Sequence, residues 1–352
     1  MRSYQIVEWG KPLEPRDYPD PKPEGTQVLV RVTACGVCHS DVHIRDGYFD
    51  LGNGQRINMA ERGLKLPFTL GHEVVGEVEA LGPEAEGLGV KVGDRRVVFP
   101  WIGCGECDAC QSDREVLCAT PRTIGTRRAG GYSDHVLVPH PRYLVPYDGV
   151  PTELAATYAC SGLTAYSAVK KTGKLGERDS LVIIGAGGVG LNGVNFAKSV
   201  TPARVIVADV DGNKRGAARQ AGAAETIDNG QPDAVQKALE LTNGGAAAVI
   251  DFVGAPVTAQ LGFDILRRGG TMVMVGLYGG AWPVSVPLFP LKMLAVRGSY
   301  VGTLAEFNEM MELVKAGRVT PLPIETRPLA RASESLDDLQ QGRVVGRVVL
   351  KP

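Results

Sequence analysis

Residues 180 to 200 read SLVIIGAGGVGLNGVNFAKSV, an apolar run that passes through three spaced glycines directly into a stretch with helical spacing. A strand buried on both faces that turns on glycine into a helix leaves few folds open. The same grammar repeats downstream. ARVIVADV precedes GNKRGAARQAGA, AAVIDFVG precedes PVTAQLGFDILRRGG, and TMVMVGL follows. Apolar strands separated by helices of about ten residues make a parallel sheet covered on both faces.

The glycines at 185, 187 and 190 stand in G-x-G-x-x-G register, with Gly188 and Val189 completing the loop. The first two allow a tight turn and close backbone approach to a pyrophosphate, which sits at the helix N-terminus. Alone, this spacing is weak evidence. Here the strand, the helix and an acid agree: RVIVAD ends at Asp209, nineteen residues after Gly190, placed to accept both ribose hydroxyls of a dinucleotide. An acid there repels a 2′-phosphate, so NAD is favoured over NADP, although Arg215 softens the preference.

Residues 25 to 150 follow a different pattern. Short apolar runs (QVLVRVTACG, EVVGEVEALG, RRVVFPW, SDHVLVPH, YLVPY) alternate with Gly, Pro and Asp turns, which reads as antiparallel, barrel-like β structure. After residue 295 come one helical stretch, LAEFNEMMELVKAG, and a short apolar GRVVLKP that would rejoin the first domain. At 352 residues, two domains are expected. Residues 1–154 with 296–352 would form the catalytic domain, and 155–295 the cofactor domain.

A net charge of -1 provides no field to hold nucleic acid or an anionic membrane. A small-molecule partner is expected. No apolar run approaches the length of a membrane span, and the start, MRSYQIVEWGKPLEP, has no leader pattern, so a cytoplasmic enzyme is expected.

Seven cysteines in such a chain point to metal binding more than to disulfides. CGECDACQSDREVLC places Cys104, Cys107, Cys110 and Cys118 in a C-x2-C-x2-C-x7-C array, through which four thiolates can converge on one tetrahedral zinc. A closed four-sulfur site leaves no position for substrate, so its expected role is structural. Cys38, His72 and Cys160 are two thiolates and an imidazole suited to a catalytic zinc with one open position, yet on spacing alone each could be an ordinary half-buried residue.

GVCHSDVH, GHEVVGEV, the four-cysteine array, CSGLTAYSA and GAGGVG occur in the order seen in zinc-dependent medium-chain alcohol dehydrogenases, and the resemblance covers essentially the whole chain. It implies a GroES-like β-rich catalytic domain joined to a Rossmann domain, with Cys38, His72 and Cys160 holding a catalytic zinc. Ser40 and His43 match the family's proton-relay positions. Asp41 would partner His72, and Glu73 would lie behind the metal. By motif position His39 and Arg347 would contact the pyrophosphate, Lys214 the adenosine ribose and Thr164 the nicotinamide. Val253, Val275 and Leu277 would line the nicotinamide pocket. Cys35 is left over, as a small buried residue.

Such groups suit alcohol oxidation: a Lewis-acidic metal makes the hydroxyl acidic, and a hydroxyl–imidazole pair carries its proton to water. Tyr48, Phe49, Phe99 and Trp101, with Leu277, are candidate pocket walls that favour a hydrophobic alcohol over a polyol. Between His43 and His72 the chain is longer than in simple ethanol-type enzymes, and an exposed loop or short helix is expected near residues 50 to 64, either capping the cleft or silent. The expected activity is reversible, NAD-dependent oxidation of a primary or secondary alcohol, in a homodimer or homotetramer. A polyol or sugar dehydrogenase on the same scaffold is the alternative, against which Cys160 speaks. A non-catalytic zinc- and NAD-binding protein is a further one.

Overall fold

In the computed structural model, which describes residues 1–352, the apolar run Ser180–Ile184 is fully buried and forms an inner strand of a six-stranded sheet. Strand order across this sheet is Glu225–Ile227, Arg204–Ala208, Ser180–Ile184, Ala246–Asp251, Leu266–Met274 and Ala295–Gly298, all parallel. The chain leaves Ser180–Ile184 towards one neighbour and later returns on its other side, beside Ala246–Asp251. That reversal opens a crevice at the carboxyl ends of these two strands, where ligands bind in open α/β sheets. Helix Gly188–Val200 starts there.

Mostly buried strands with few exposed positions build the second sheet. Its longest strands, Val28–Gly36 and Glu73–Leu81, pair antiparallel with Gly36 opposite Glu73. The C-terminal strand Arg347–Lys351 pairs antiparallel with Val28–Gly36 and parallel with Ile324–Pro328. The last residues of the chain therefore lie beside the strand that leads into Cys38. Helical residues Thr152–Lys170 cross from this sheet towards the parallel one, widened over Tyr158–Gly162 into a π turn.

Two expectations change. Ala295–Gly298 pairs with Leu266–Met274 as the sixth parallel strand, so the second crossing between units falls after residue 298 and not at 295. The segment expected as a loop or short helix near 50 to 64 is instead a β-hairpin, Tyr48–Gly52 with Gln55–Asn58, followed by turns. Asn53 and Gly54 at its tip have positive φ, the twist that a two-residue hairpin turn needs and that composition alone does not reveal. No helix is long and apolar enough to cross a membrane.

Candidate active site

Cys38, His72, Glu73 and Cys160 are all buried, and one ligand atom from each lies within 4.8 Å of the others. Cys38 is held where strand Val28–Gly36 gives way to helix His39–Asp46. Its own N–H donates to Asp41 Oδ2 at 3.0 Å, which fixes the helix start. Glu73 begins the adjacent strand, His72 directly precedes it, and Cys160 comes from the π turn.

Asp41 is fully buried and collects four groups: the Cys38 N–H, the Gly71 N–H at 3.4 Å, the Tyr132 hydroxyl at 3.2 Å and His72 Nδ1 at 3.3 Å. With Nδ1 facing a carboxylate, the imidazole is oriented with Nε2 free, and Nε2 has no partner within the protein. Burial disfavours a charged His72, but Asp41 and Cys38 outweigh it and raise its value well above normal. Cys38 is held well below the ordinary thiol value by the Cys160 thiol, against its own burial, and Cys160 is pushed up in turn.

Glu73 has both oxygens engaged. Oε1 accepts the Ser161 N–H at 3.2 Å, and Oε2 accepts from the Arg347 guanidinium. Burial pushes this carboxyl up to about 7 while Arg347 pulls it down. The donors with capacity to spare are therefore Cys38, His72 and Cys160. A tetrahedral ion with metal–sulfur bonds of about 2.3 Å spaces its sulfurs about 3.8 Å apart. The Cys38 and Cys160 sulfurs are 4.0 Å apart, and an orphaned buried imidazole nitrogen completes a donor set that suits zinc. In the second cluster the Cys104–Cys110 and Cys107–Cys110 separations are 3.9 and 3.5 Å, with Cys118 within the same 4.8 Å group. Four sulfurs at these distances fit a closed zinc site.

Ser40 and His43 are both half-buried, three residues apart on helix His39–Asp46 and therefore neighbours along one face. The His43 ring lies 4.8 Å from that of Phe49 on the hairpin. Its burial is what lowers its proton affinity. His39 is exposed at the start of this helix.

At the sheet crevice the loop over Gly185, Gly187, Gly188, Val189 and Gly190 leads into the helix. A β-carbon at 190 would stand 1.8 Å from the Gly185 carbonyl, so the turn closes only with glycine there. Asp209 accepts the Ala186 N–H at 2.7 Å and the Asp211 N–H at 2.9 Å, which draws the end of its strand against the loop. Lys214 is half-buried in the first turn of the next helix, its N–H capped by Asp211. Val253 packs against Gly185, Val275 is half-buried, and Leu277 is 43% exposed beyond the strand end. Thr164 is buried, with a hydroxyl that has no partner within the protein. Arg347 lies with its aliphatic stem on Gly188 and its guanidinium turned inward to Glu73.

Of the candidate walls, Trp101 is buried with its ring 5.3 Å from His72, its indole N–H donating to the Ala159 carbonyl at 2.9 Å. Tyr48 and Phe49 are half-buried on the hairpin, with the Arg56 guanidinium 4.0 Å over Tyr48. Phe99 does not join these walls. It is fully buried against Tyr143 and Phe307, ring centres 6.2 and 5.9 Å away, so packing is its role. Sequence reasoning missed Tyr132 on Asp41, and Tyr300, whose ring meets Trp101 edge-on at 5.6 Å. No local pattern marks either, because both contacts join distant parts of the chain.

Residues 24–149 match the family described as Alcohol dehydrogenase GroES-like domain, and residues 188–316 match Zinc-binding dehydrogenase. An NAD-dependent alcohol dehydrogenase of Sulfurisphaera tokodaii is 41% identical, each chain covered in full. The crystal structure of the alcohol dehydrogenase of Aeropyrum pernix superposes with a TM-score of 0.90 at 32% identity, again covering both chains completely. An acetophenone reductase of Geotrichum candidum in complex with NAD superposes at 0.87 with 28% identity, covering all of this chain and 97% of the other.

Proposed function

The chain belongs to the zinc-dependent alcohol dehydrogenases of the medium-chain dehydrogenase/reductase family, and on that premise we propose how its residues divide the work of reversible, NAD-dependent oxidation of a primary or secondary alcohol to an aldehyde or ketone. The observation that carries this reading is the convergence of Cys38, His72 and Cys160, from three separate segments, into one buried donor cluster.

Cys38, His72 and Cys160 would hold the catalytic zinc, which would supply a Lewis acid to make an alcohol hydroxyl acidic near neutral pH. Asp41 orients His72, and Glu73 supports the cluster from behind. Ser40 receives the substrate proton and His43, left neutral by burial, passes it to water. Cys104, Cys107, Cys110 and Cys118 hold a structural zinc. The glycine-rich loop would hold NAD, which would supply the hydride acceptor, and Asp209 and Lys214 would receive its adenosine ribose. His39, Thr164, Val253, Val275, Leu277 and Arg347 complete its cradle. Trp101 and Phe49, apolar and near His72 and His43, select a hydrophobic substrate.

The catalytic unit comprises the segments before the parallel sheet and those after residue 298, with the cofactor unit between them. The uncovered edge strand Ala295–Gly298, with Val286, Leu291 and Met293 each more than 60% exposed nearby, supports a homodimer or homotetramer. Six of the seven cysteines gathered as thiol ligands in two metal-binding clusters support a reducing, cytoplasmic setting.

The test is NADH formation from NAD with short aliphatic, branched, benzylic and polyol alcohols, beside an NADP arm and a chelator-treated control. Turnover of apolar alcohols that zinc restores after chelation is expected. Preferential polyol turnover would replace the substrate reading with the sugar-dehydrogenase one, and no turnover with zinc bound would favour a non-catalytic protein.

A further inference from the structure

The helical segment that carries Cys160 is widened at the ligand itself. Over Tyr158–Gly162 the turn is π-helical, and the Leu163 N–H reaches back to the Tyr158 and Cys160 carbonyls. A wide turn takes backbone groups out of the regular ladder, and buried ones must find other partners. Here side chains supply them. The Ser161 N–H donates to Glu73 Oε1 at 3.2 Å, and the Ser161 hydroxyl donates to the Thr157 carbonyl at 2.8 Å.

That hydroxyl also accepts a hydrogen bond from Asn192 Nδ2, at 3.1 Å. Asn192 belongs to another unit of the molecule: it lies two residues after Gly190, near the start of the helix that opens at the glycine-rich loop. Asn192 and Ser161 are both fully buried, and Asn192 Oδ1 has no partner within the protein. An apolar residue would suit an enclosed helix face better than an amide with half its hydrogen-bonding capacity unmet. Stability alone does not account for the asparagine. Its one bond goes to the residue that holds the π turn open next to Cys160.

We infer that Asn192 is a positioning residue which, through Ser161, aims Cys160 and couples dinucleotide binding at the glycine-rich loop to the Cys38–His72–Cys160 metal site. The inference rests on the metal and cofactor reading above. A rigid helix start, one side-chain bond and the π turn connect the two sites. Coupling of this kind is reciprocal, so the metal must alter NAD affinity by the factor with which NAD alters metal affinity.

The measurement is the NAD dissociation constant of the full-length protein with its catalytic metal present and after that metal is stripped, together with the NAD-induced change in the visible bands of the cobalt-substituted protein. In the wild type the two dissociation constants should differ by about tenfold, within the usual range for coupled sites, and NAD should shift the cobalt bands. Asn192→Leu, which keeps the branching at Cγ and loses the amide, should bring the ratio to within about twofold and abolish the shift, as should Ser161→Ala. Ser161→Thr, which retains the hydroxyl, should keep both. A contribution to folding alone would weaken both dissociation constants together and leave their ratio unchanged. An unchanged ratio and band shift in Asn192→Leu or Ser161→Ala, or a wild-type ratio of one, overturns the inference even where zinc and turnover are intact. A wild type that binds no metal at Cys38, His72 and Cys160 removes the functional reading and this inference together. Should Asn192→Leu fail to fold, Ser161→Ala asks the same question from the other end of the bond.

Discussion

Arg347, on the last strand, donates a hydrogen bond to Glu73, 274 positions earlier, and the two side chains are 5% and 0% exposed. Register makes the contact possible. Val28–Gly36 lies between their strands, with Gly36 opposite both Glu73 and Val349. A glycine there leaves room for the Glu73 carboxylate, since a β-carbon would lie 1.9 Å from its Oε2. The chain's end is thus tied to the metal cluster by a pair that solvent does not screen.

Removing one partner of a buried ion pair leaves an uncompensated charge. Arg347→Met should destabilise the protein by about 3–5 kcal/mol, measured by urea unfolding of the metal-loaded form. Adding Glu73→Gln should recover part of that loss, because the orphaned charge is then gone. Equal stability of single and double variants would show that Arg347 acts by packing alone.

Losing a thiolate from the four-cysteine cluster should affect the fold more than the chemistry. Cys107→Ser should lower bound zinc from about two ions per chain to about one. It should lose about 3 kcal/mol, or ~4 °C in melting temperature. Turnover per remaining catalytic zinc should persist at temperatures where the variant stays folded. Metal analysis and thermal unfolding check the first two, and a rate loss without a stability loss would contradict the structural role.

His43 should set an acid limit. Burial lowers its value, with Cys38 and Asp46 pulling weakly the other way. As pH falls through the unfolded value of about 6.5, the unfolded chain takes up this proton before the folded one, so His43 costs stability on the acid side and none above it. For the relay, the same direction keeps the imidazole neutral and able to accept a proton at pH values below about 6.5. In the pH profile of kcat/KM, the His43-dependent break should lie below that value. His43→Gln should remove the break and lower the rate by about 10²-fold. An acid limb identical in both proteins would exclude His43 from the relay.

The hairpin should tune substrate size. Gly52 has φ +81° and rests on the segment Gly279–Ala281 from the other side of the cleft, where a β-carbon would come within 2.3 Å of the Ala281 nitrogen. Gly52→Ala should displace the hairpin and cost about 1 kcal/mol of stability. It should change KM for benzylic alcohols by about three- to tenfold, with a smaller effect on kcat and on short alcohols. Uniform kinetics across substrates would make the hairpin a silent surface feature.

Local sequence determined the parts whose physics is local. Ser180–Ile184 needs only the four apolar residues in a row, Leu181–Ile184, to be a buried strand, the glycine-rich turn only its spacing, and the four-cysteine cluster only a short loop. Those features are legible in the chain itself, and the ordered motifs carry the family. Tertiary structure decided what depends on pairing between distant segments. The convergence of Cys38, His72 and Cys160, the four groups gathered on Asp41, and the turn of Arg347 inward to Glu73 depend on strand register around Val28–Gly36 and on where the π turn brings Cys160. It also decided that Phe99 is core, that the 48–58 segment pairs with itself, and that Asn192 reaches Ser161. The hairpin is local, and Asn53–Gly54 at its tip is a turn signal in the sequence itself. Each of the others turns on which buried polar or apolar group finds a partner from elsewhere in the chain, and a linear pattern carries no record of that choice.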